Sequence, residues 1–408
     1  MQAPDPTTSM ATPRLFTQAF VGLFAASLLF FIAGGVVLPV ASRFAKGPLG
    51  ADTAGVGIAI AAFSIGALAL RPVVGWASDR FGRRPLIVLG CVLTVAGLLL
   101  HLVANTLPLF VLARAVLGVA EAFFLVAVIA AVSDIAPEAR RGEALNYGSL
   151  SIYLGVAIGP VIGEATLAAT GYTAVWLVAL GLAIATTVIT VLRVPETAPL
   201  ADRSSQPAGT RRSRLIHPAG ILPGLLILAG TWGMAAFLAF VPLYTTELGM
   251  ASSGPALAVY ALTVIVLRTA FATLPDRIGS VPVAMAALLG SAAGMSILAV
   301  ARDPLVVYVG TVVFAAGIAF LAPALISVAV SRVDDTERGT VVGTTSAFLD
   351  LSFGLAPAIH GAAADSIGFG GAFAVSAVVA LAGAALLFAR RTAIVRPMAT
   401  ATVEVLAR

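Results

Sequence analysis

Charged residues are scarce in this chain, and their scarcity excludes most soluble folds. Only 11% of the 408 residues are Asp, Glu, Lys or Arg, while 60% are hydrophobic and the mean hydropathy is +1.04. Soluble domains carry about 25% charged residues. Because no soluble core could bury this much apolar sequence, the composition predicts an all-α protein that crosses a membrane many times.

Cysteine and histidine are equally rare. Cys91 is the single cysteine and lies in an apolar run, which leaves neither a disulfide nor a thiolate metal cluster. The three histidines, His101, His217 and His360, have no metal-ligand spacing. There is also no phosphate-binding loop, and the net charge of +5 does not form a basic face on a soluble domain. We therefore expect no metal, no cofactor, no nucleic-acid partner and no enzymatic activity.

Apolar runs bounded by charged residues, proline or glycine predict twelve membrane spans. These lie at 16–41, 55–77, 85–104, 108–132, 143–168, 172–194, 219–246, 254–274, 281–300, 304–331, 339–364 and 370–390. A polar segment rich in proline, serine and arginine separates the sixth span from the seventh and is typical of a flexible linker. The predicted order is a tail at 1–15, an N-terminal half at 16–194, a linker at 195–218, a C-terminal half at 219–391 and a tail at 392–408.

The positive charges predict the orientation of the spans. Eighteen of the 24 Lys and Arg residues fall on the tails and on the loops of one side, while Arg43, Lys46 and Arg302 fall on the other. Loops that stay in the cytoplasm carry an excess of Lys and Arg. We therefore expect both termini in the cytoplasm and the protein in the inner or plasma membrane of a bacterium.

An internal repeat at an offset of 197 residues divides the chain into two similar parts. Charged, proline and glycine residues share this register across about a hundred residues, as when Asp79 matches Asp276 and Pro160 matches Pro357. Chance matches would fall on common residues such as alanine or leucine. Six spans followed by six in the same orientation indicate a parallel duplication with its axis along the membrane normal.

A short charged hairpin joins the second and third spans. Its residues, and those of a weaker copy 197 positions later, are Gly75, Asp79, Arg80, Gly82, Arg83 and Arg84, then Asp276, Arg277 and Gly279. Gly75 and Asp79 share a helix face, and Gly82 permits a tight turn. The two copies resemble the loop signature of the major facilitator superfamily of transporters, and the resemblance covers the whole chain.

The resemblance implies twelve transmembrane helices in two six-helix halves related by a pseudo-twofold axis. It also implies a role for the hairpin in conformational change. Asp79 would meet the N-terminus of the eleventh span at Arg338 through a charge–dipole attraction of about 0.3–1 kcal/mol, and Arg83 would bridge to Asp134. We expect the hairpin and its copy to latch the cytoplasmic side shut when the other side is open.

The fifth span carries a pattern of small residues that is similar to a motif of the family's antiporter branch. Its members are Gly155, Gly159, Pro160 and Gly163. Glycines four residues apart make a flat stripe for close helix contact, and a proline bends the helix. We expect this span to act as a gate or as a seam between the halves; the alternative is a packing helix. The similarity favours export by antiport.

Two acids lie near the middle of their spans, Glu121 in the fourth and Asp350 in the eleventh. An ionisable side chain at the midplane costs at least about 2.5–3.5 kcal/mol on insertion scales, so each is a functional candidate. Arg114, which opens a partial match to the family's motif in the fourth helix, lies seven residues before Glu121 on the same face. Glu164 of the fifth span is expected at a depth similar to that of Arg114.

These four residues predict a proton-coupling cluster. Burial favours a neutral carboxyl group and an approaching guanidinium favours the carboxylate, so Arg114 pairing with Glu164, with Glu121 or with each in turn would release and reload a proton. We hypothesise that Glu121 is the principal proton carrier. The alternative is a static Arg–Glu pair that stabilises the N-terminal half, and Asp350 could serve a substrate cation or a second proton.

Three further polar residues in the spans receive structural interpretations. Arg71 and Arg268 occupy equivalent places near the predicted cytoplasmic surface, and snorkelling toward the interface explains both. His360 is more plausible as a hydrogen-bonded structural histidine than as a proton relay.

In the fold that the resemblance implies, helices 1, 4, 7 and 10 line a central cavity. The candidate lining residues are Phe31, Gly34, Trp232, Phe237, Phe240, Phe314 and Phe320. Aromatic and small residues dominate, which suits an apolar or amphipathic ligand better than a sugar.

The sequence thus predicts a monomeric secondary transporter that exports small amphipathic or hydrophobic compounds, with the proton gradient as its energy source. Its expected partners are a small-molecule substrate, protons and the lipid bilayer. The alternatives are a proton symporter or uniporter for a sugar or other metabolite and, more distantly, a transporter-like receptor that binds its ligand without moving it.

Overall fold

The computed structural model describes residues 15–137, 140–197, 216–271, 274–333 and 337–395, and these residues are overwhelmingly helical. The helices are α1 (Gln18–Lys46), α2 (Thr53–Phe81), α3 (Arg83–Val103), α4 (Leu107–Ile135), α5 (Arg141–Thr170), α6 (Tyr172–Arg193), α7 (Pro218–Glu247), α8 (Gly254–Ala270), α9 (Leu274–Ile278), α10 (Ser280–Ala299), α11 (Pro304–Ile318), α12 (Leu321–Val330) and α13 (Arg338–Val395). Most of the predicted linker, 198–215, lies outside the described residues, as do the two tails beyond 15 and 395.

The helices account for the twelve predicted spans. Within the described residues, ten helical stretches are long and apolar enough to cross a membrane. The shorter α8 has 17 residues and corresponds to the eighth span. The long α13 contains two spans, because its backbone leaves the helical conformation at Gly368, and α11 and α12 together form the tenth span. The prediction of an all-α polytopic fold is confirmed.

Turn glycines reproduce the internal repeat in the backbone. Positive φ angles occur at two glycine pairs with the offset of 197, Gly82 with Gly279 and Gly171 with Gly368, and also at Gly50 and Gly249, which follow the first helix of each half. Only glycine adopts such angles at no steric cost. We call the end of the bundle with the Gly82 and Gly279 turns the Gly82 face, and the end with Gly171 and Gly368 the Gly171 face; the arginine distribution predicts that the Gly82 face is cytoplasmic.

Helices α1–α6 form the N-terminal half and α7–α13 the C-terminal half, and α2 and α13 meet along the seam between them. At the Gly171 face the seam is tight, since a Cβ atom at Gly57 would lie 3.0 Å from the Cα of Ala358. Eighteen residues, or five helical turns and about 27 Å, bring Gly75 onto the same face of α2 as Gly57, yet a Cβ at Gly75 would meet nothing within 4 Å.

The partner helix shows the same gradient. Gly361 of α13 packs against Thr53 and Ala54, whereas a Cβ at Gly343, again five turns away, would have no neighbour within 4 Å. The two helices therefore touch at the Gly171 face and separate toward the Gly82 face.

Candidate functional site

A cavity of about 470 Å³ lies between the two halves, at mid-depth in the bundle. Side chains of α1–α5, α7, α8 and α13 line it, and most of them are apolar. The exceptions that carry charge are Arg71, Arg114, Glu121 and Asp350. Ionisable groups inside the membrane are costly and are therefore functional candidates by default, so the cavity is the candidate functional site.

Arg71 connects the two halves inside this cavity. Its guanidinium pairs with the carboxylate of Asp350 on α13, and its Nη2 lies 3.7 Å from Oε2 of Glu121 on α4. The snorkelling interpretation of Arg71 was wrong. Helix α2 continues for ten residues beyond Arg71, to Phe81, and the guanidinium is engaged by Asp350 and Glu121 in the cavity instead of extending toward the helix end.

Glu121 has one carboxylate oxygen that makes no hydrogen bond, although Arg71 lies within ion-pair distance of it. Its Oε2 is buried and accepts no hydrogen bond from the described residues. The pair of Glu121 with Arg114, one of the expected alternatives, does not form, since the two residues lie two turns apart on α4 and Glu121 is next to Arg71. Of the two midplane acids, Glu121 is thus the less well satisfied.

Arg114 is buried without a carboxylate partner among the described residues. Its side chain is 4% exposed, its Nε makes no hydrogen bond, and the guanidinium carbon lies 5.0 Å from the centre of the Phe63 ring. A cation over an aromatic face recovers only part of the cost of burying the charge. The predicted pair of Arg114 with Glu164 is therefore wrong in this conformation.

Glu164 instead belongs to a cluster at the Gly171 face. Its Oε2 lies 2.9 Å from Nη1 of Arg43, and its two oxygens accept hydrogen bonds from the hydroxyls of Ser252 and Ser253 at 3.1 and 2.7 Å. Ser252 and Ser253 precede α8 in the other half. Their hydroxyls could not be recognised as partners from the sequence, since the contact joins segments 88 and 89 residues apart.

Two further contacts close the Gly171 face. Arg43 donates to the carbonyl of Pro242 in the C-terminal half at 3.3 Å. The carboxylate of Asp365 on α13 accepts from the backbone N–H groups of Thr53 and Ala54, at 3.0 and 2.8 Å, and so caps the N-terminus of α2 across the seam. Opening this face requires these bonds to break.

We predict that Glu164→Gln favours the conformation open at the Gly171 face, because it leaves the Arg43 cation without its anion. With Ile60→Cys in a Cys91→Ser background, the labelling rate by a membrane-impermeant maleimide should rise at least about fivefold, equivalent to about 1 kcal/mol in the opening equilibrium. Ile60 is 7% exposed and lines the cavity.

Glu247→Gln is the matched control, because Glu247 is an exposed acid at the end of α7, on the same face. Equal labelling of the Glu164 variant and the control would show that the Glu164 cluster does not hold this face shut.

The charged hairpin is anchored within its own half. Arg83 Nε lies 3.1 Å from the Asp134 carboxylate, as the resemblance implied. Both residues belong to the N-terminal half, and their pair is formed while α2 and α13 are apart at this face, so it does not by itself latch the halves together. The Glu196 carboxylate, which was not anticipated, accepts from the backbone N–H groups of Arg83 and Arg84 at the start of α3.

The structure describes the side chains of only some other members of the predicted latch. The side chains of Asp79, Asp276 and Arg338 lie outside the described residues. The Arg80 guanidinium lies 5.9 Å from the Phe81 ring, and Arg277 is exposed. The latch between the halves stays a prediction.

The glycine stripe of α5 packs against α1 of the same half. A Cβ at Gly159 would lie 2.6 Å from the Cα of Gly35, and Gly155 and Gly163 abut Phe31 and Val36. The stripe itself does not form a seam between the halves, since its glycines allow two helices of one half to approach closely; α5 meets the other half through Glu164, which contacts Ser252 and Ser253. Pro160 also lies on the α1 side, near Gly35.

The cavity contains two of the seven aromatic and small residues predicted to line it, Phe31 and Gly34. The other five, Trp232, Phe237, Phe240, Phe314 and Phe320, pack within the C-terminal half. Phe237 and Phe314, for example, pack against each other with their ring centres 5.8 Å apart and their planes tilted by 45°. Other helices surround α7 on nearly all sides, so most of its residues are buried and apolar. The sequence of α7 therefore has no hydrophobic periodicity that would show which of its faces meets the cavity.

Two other polar residues of the spans are satisfied by the protein. His360 is fully buried, with Nδ1 at 2.9 Å from the Ala356 carbonyl and Nε2 at 2.7 Å from the Ser376 hydroxyl, which agrees with the structural interpretation. Arg268 does not snorkel, because its Nε donates at 2.7 Å to the Ala319 carbonyl, where α11 gives way to α12. It satisfies a carbonyl that the helix break leaves free.

Relatives and solved structures agree with this architecture. The chain is 27% identical over 374 residues to an uncharacterized MFS-type transporter of Salmonella typhimurium, covering 89% of this chain and 94% of the relative. It is 27% identical over 397 residues to an uncharacterized MFS-type transporter of Burkholderia mallei, covering 94% and 93%.

Two solved structures share the fold. A bacterial homologue of the human lysosomal transporter Spinster, in an inward-facing and unoccupied conformation, superposes with a TM-score of 0.75 at 16% identity, covering 96% of this chain and all of that one. The human organic anion transporter MFSD10 superposes with a TM-score of 0.69 at 20% identity, covering 92% of this chain and 100% of that one. At these identities the likeness concerns the fold alone.

The Major Facilitator Superfamily model matches residues 23–274 and 251–402, which together span nearly the whole chain. With the twelve spans, the two similar halves and the cavity between them, this match identifies a transporter rather than an enzyme. The chain belongs to the Major Facilitator Superfamily.

Proposed function

We propose that this transporter is a proton-coupled antiporter of the inner or plasma membrane, with both termini cytoplasmic, that exports small amphipathic or hydrophobic compounds. The observation that carries the proposal is the position of Arg71, which lies between Glu121 of one half and Asp350 of the other within the cavity. A proton on either acid changes which partner holds the arginine. The protonation state is thereby linked to a contact between the two moving halves.

Glu121 is the better candidate for the proton carrier. Its Oε2 is buried and makes no hydrogen bond within the described part of the chain, with Arg71 Nη2 3.7 Å away, while Asp350 holds the Arg71 guanidinium directly. Burial favours the neutral acid, and closer approach of Arg71 favours its ionised form. Movement of Arg71 between the two acids as the halves rock would therefore load and unload a proton at Glu121.

The direction and the substrate class rest on two features. The glycine and proline pattern of α5 is similar to that of the antiporter branch, which supports export. The lining of the cavity is mostly apolar, with Phe31, Leu117, Met234 and Phe353 among its members. Such a surface suits an amphipathic compound, since a polyhydroxylated one would lose hydrogen bonds to water without replacement.

Proton symport of a small metabolite is the second candidate, and the charge balance of the cavity favours it. The two positive charges of Arg71 and Arg114 balance the two negative charges that Glu121 and Asp350 carry when both acids are ionised. A proton on Glu121 would leave one positive charge in excess, which an anionic substrate entering in the same direction would neutralise.

Purified full-length protein in liposomes loaded with the pH indicator pyranine separates these candidates. Under an imposed pH gradient, antiport predicts that an added amphipathic compound moves against the proton flow, while symport predicts movement with it. The panel should include a cationic dye, a neutral aromatic amide and an aromatic carboxylate. Binding of a compound without coupled proton flux in either direction would contradict proton-coupled transport.

A further inference from the structure

Arg114 differs from Arg43, Arg71 and Arg268 in having no anionic or carbonyl partner among the described residues. Arg43 pairs with Glu164, Arg71 pairs with Asp350, and Arg268 donates to a backbone carbonyl. Among the described residues, nothing comparable faces Arg114, whose Nε is buried and unbonded. A guanidinium carries five N–H donors, and leaving them unmet in a buried site is costly.

The position of Arg114 places this unmet group at the end of the cavity nearest the Gly171 face. Arg114 lies seven residues after the start of α4, or about 10 Å along the helix axis. Tyr260 lies six residues after the start of α8. Both helices begin at the Gly171 face, so the arginine of one half and the tyrosine of the other line the cavity at a similar depth. The Phe63 ring holds the guanidinium from one side.

The carboxylates of the cavity cannot fill this place in the observed arrangement. Glu121 lies two helical turns from Arg114, about 10 Å along α4, and is next to Arg71. Asp350 is paired with Arg71 as well. The cavity therefore has a paired charge cluster at its middle and an unpaired cation at one end.

We infer that Arg114 is the anion-binding subsite of this cavity, and that the transporter takes amphipathic monoanions of the carboxylate class. The carboxylate would bind the guanidinium fork, an arrangement in which two parallel N–H···O bonds form. The apolar body would lie along side chains such as Leu117 and Leu238. The two acids at the middle of the cavity would disfavour a second negative charge on the ligand.

The inference rests on transport through this cavity, as proposed above, but not on the direction in which protons move. Exchange of an anion outward for a proton inward moves two charges in the direction that an inside-negative membrane potential favours, at about 2.3 kcal/mol per charge per 100 mV. An anionic substrate is therefore compatible with export.

Binding measurements on the purified full-length protein in detergent test the subsite without any gradient. Two ligand pairs isolate the charge, 1-naphthoate with 1-naphthamide and decanoate with decanamide. The unmodified protein should bind at least one carboxylate about tenfold or more tightly than its amide. Arg114→Gln should lower the affinity for that carboxylate by about 10- to 100-fold, as expected for charge-assisted hydrogen bonds. The affinity for the amide should stay within about twofold of that of the unmodified protein.

Two further variants separate recognition from folding. Arg114→Lys keeps the charge but loses the planar fork, so the preference for the carboxylate should persist at reduced affinity. Arg302→Gln removes an exposed arginine in the loop before α11 and should change neither affinity. If Arg114→Gln does not fold, the ratio of the affinities for carboxylate and amide, measured in the unmodified protein and in Arg114→Lys, still tests the subsite.

Equal affinities for carboxylate and amide in the unmodified protein, no binding of either carboxylate, or an unchanged ratio in a folded Arg114→Gln protein would each overturn the inference. Failure of proton coupling would appear separately, as absent pyranine response in liposomes with the carboxylate preference retained in detergent. The two proposals can thus fail independently.

Discussion

Glu121→Gln is expected to abolish transport driven by a pH gradient while leaving exchange of substrate across the membrane intact. The amide is nearly isosteric with the carboxyl group but cannot take up or release a proton. Loss of a positioned proton-transfer group typically costs about 100-fold or more, so driven transport should fall to background. Counterflow needs only the cavity and the rocking of the halves, and it should stay within about threefold of the unmodified protein.

Two control variants sharpen this experiment. Glu121→Asp keeps a titratable group and should retain part of the driven transport. Glu247→Gln removes an exposed acid far from the cavity and should have no effect. Driven transport of Glu121→Gln within about tenfold of the unmodified rate would assign the proton to another group, with Asp350 the nearest alternative.

Gly343→Leu is expected to slow turnover strongly without destabilising the fold. In the present conformation a side chain at this position meets nothing within 4 Å. By the five-turn spacing along α2 and α13, closure of the Gly82 face would bring Gly343 toward the face of α2 that carries Gly75. A leucine there would occupy the space that close helix contact requires, and overpacking of this kind typically costs about 1–3 kcal/mol or more.

The measurement combines stability with transport. The melting temperature should change by less than about 3 °C, as for a substitution at an exposed site, while counterflow should fall by about 10- to 100-fold because the closed Gly82 face is less populated. Gly181→Leu is the matched control, since Gly181 of α6 is also a helical glycine with no neighbour within 4 Å and lies away from the seam. Normal counterflow in the Gly343 variant would show that α2 and α13 do not close at this position.

Much of the fold follows from local properties of the sequence. A span of some twenty apolar residues has to be helical in a membrane, because lipid offers its backbone no hydrogen bonds. The glycines at the turns are equally direct signals, since a residue with φ near 98° at Gly82 or 91° at Gly279 is strained unless it lacks a Cβ. These features need no knowledge of which helix packs against which.

Some details of the spans escaped prediction even so. The eighth span is short, at 17 residues, and the tenth is broken near Ala319, where the Arg268 side chain supplies a donor. Hydropathy averages over such a break, because the residues around it are as apolar as those of a continuous helix.

Most of the buried charged residues were identified as functional candidates from the sequence, but Arg71 was not, and neither were their partners in the cavity. Glu121, Asp350, Arg114 and Glu164 are conspicuous because a charge inside a membrane span is costly. Which of them pair depends on the rotation and tilt of the helices, and no local pattern encodes these. Arg114 was therefore matched with acids that Arg43 and Arg71 hold instead.

By itself, the sequence determined that this protein is a membrane protein of twelve spans and two similar halves, with a few charges buried among apolar residues. Only the tertiary structure decided that Arg71 joins the halves, that Glu164 belongs to the closed Gly171 face, and that Arg114 is left without a partner in the cavity. The physical reason is the separation along the sequence of the residues that interact. Hydrophobicity and turn geometry act on neighbouring residues, whereas an ion pair between α2 and α13 joins side chains 279 residues apart and exists only once the halves have packed.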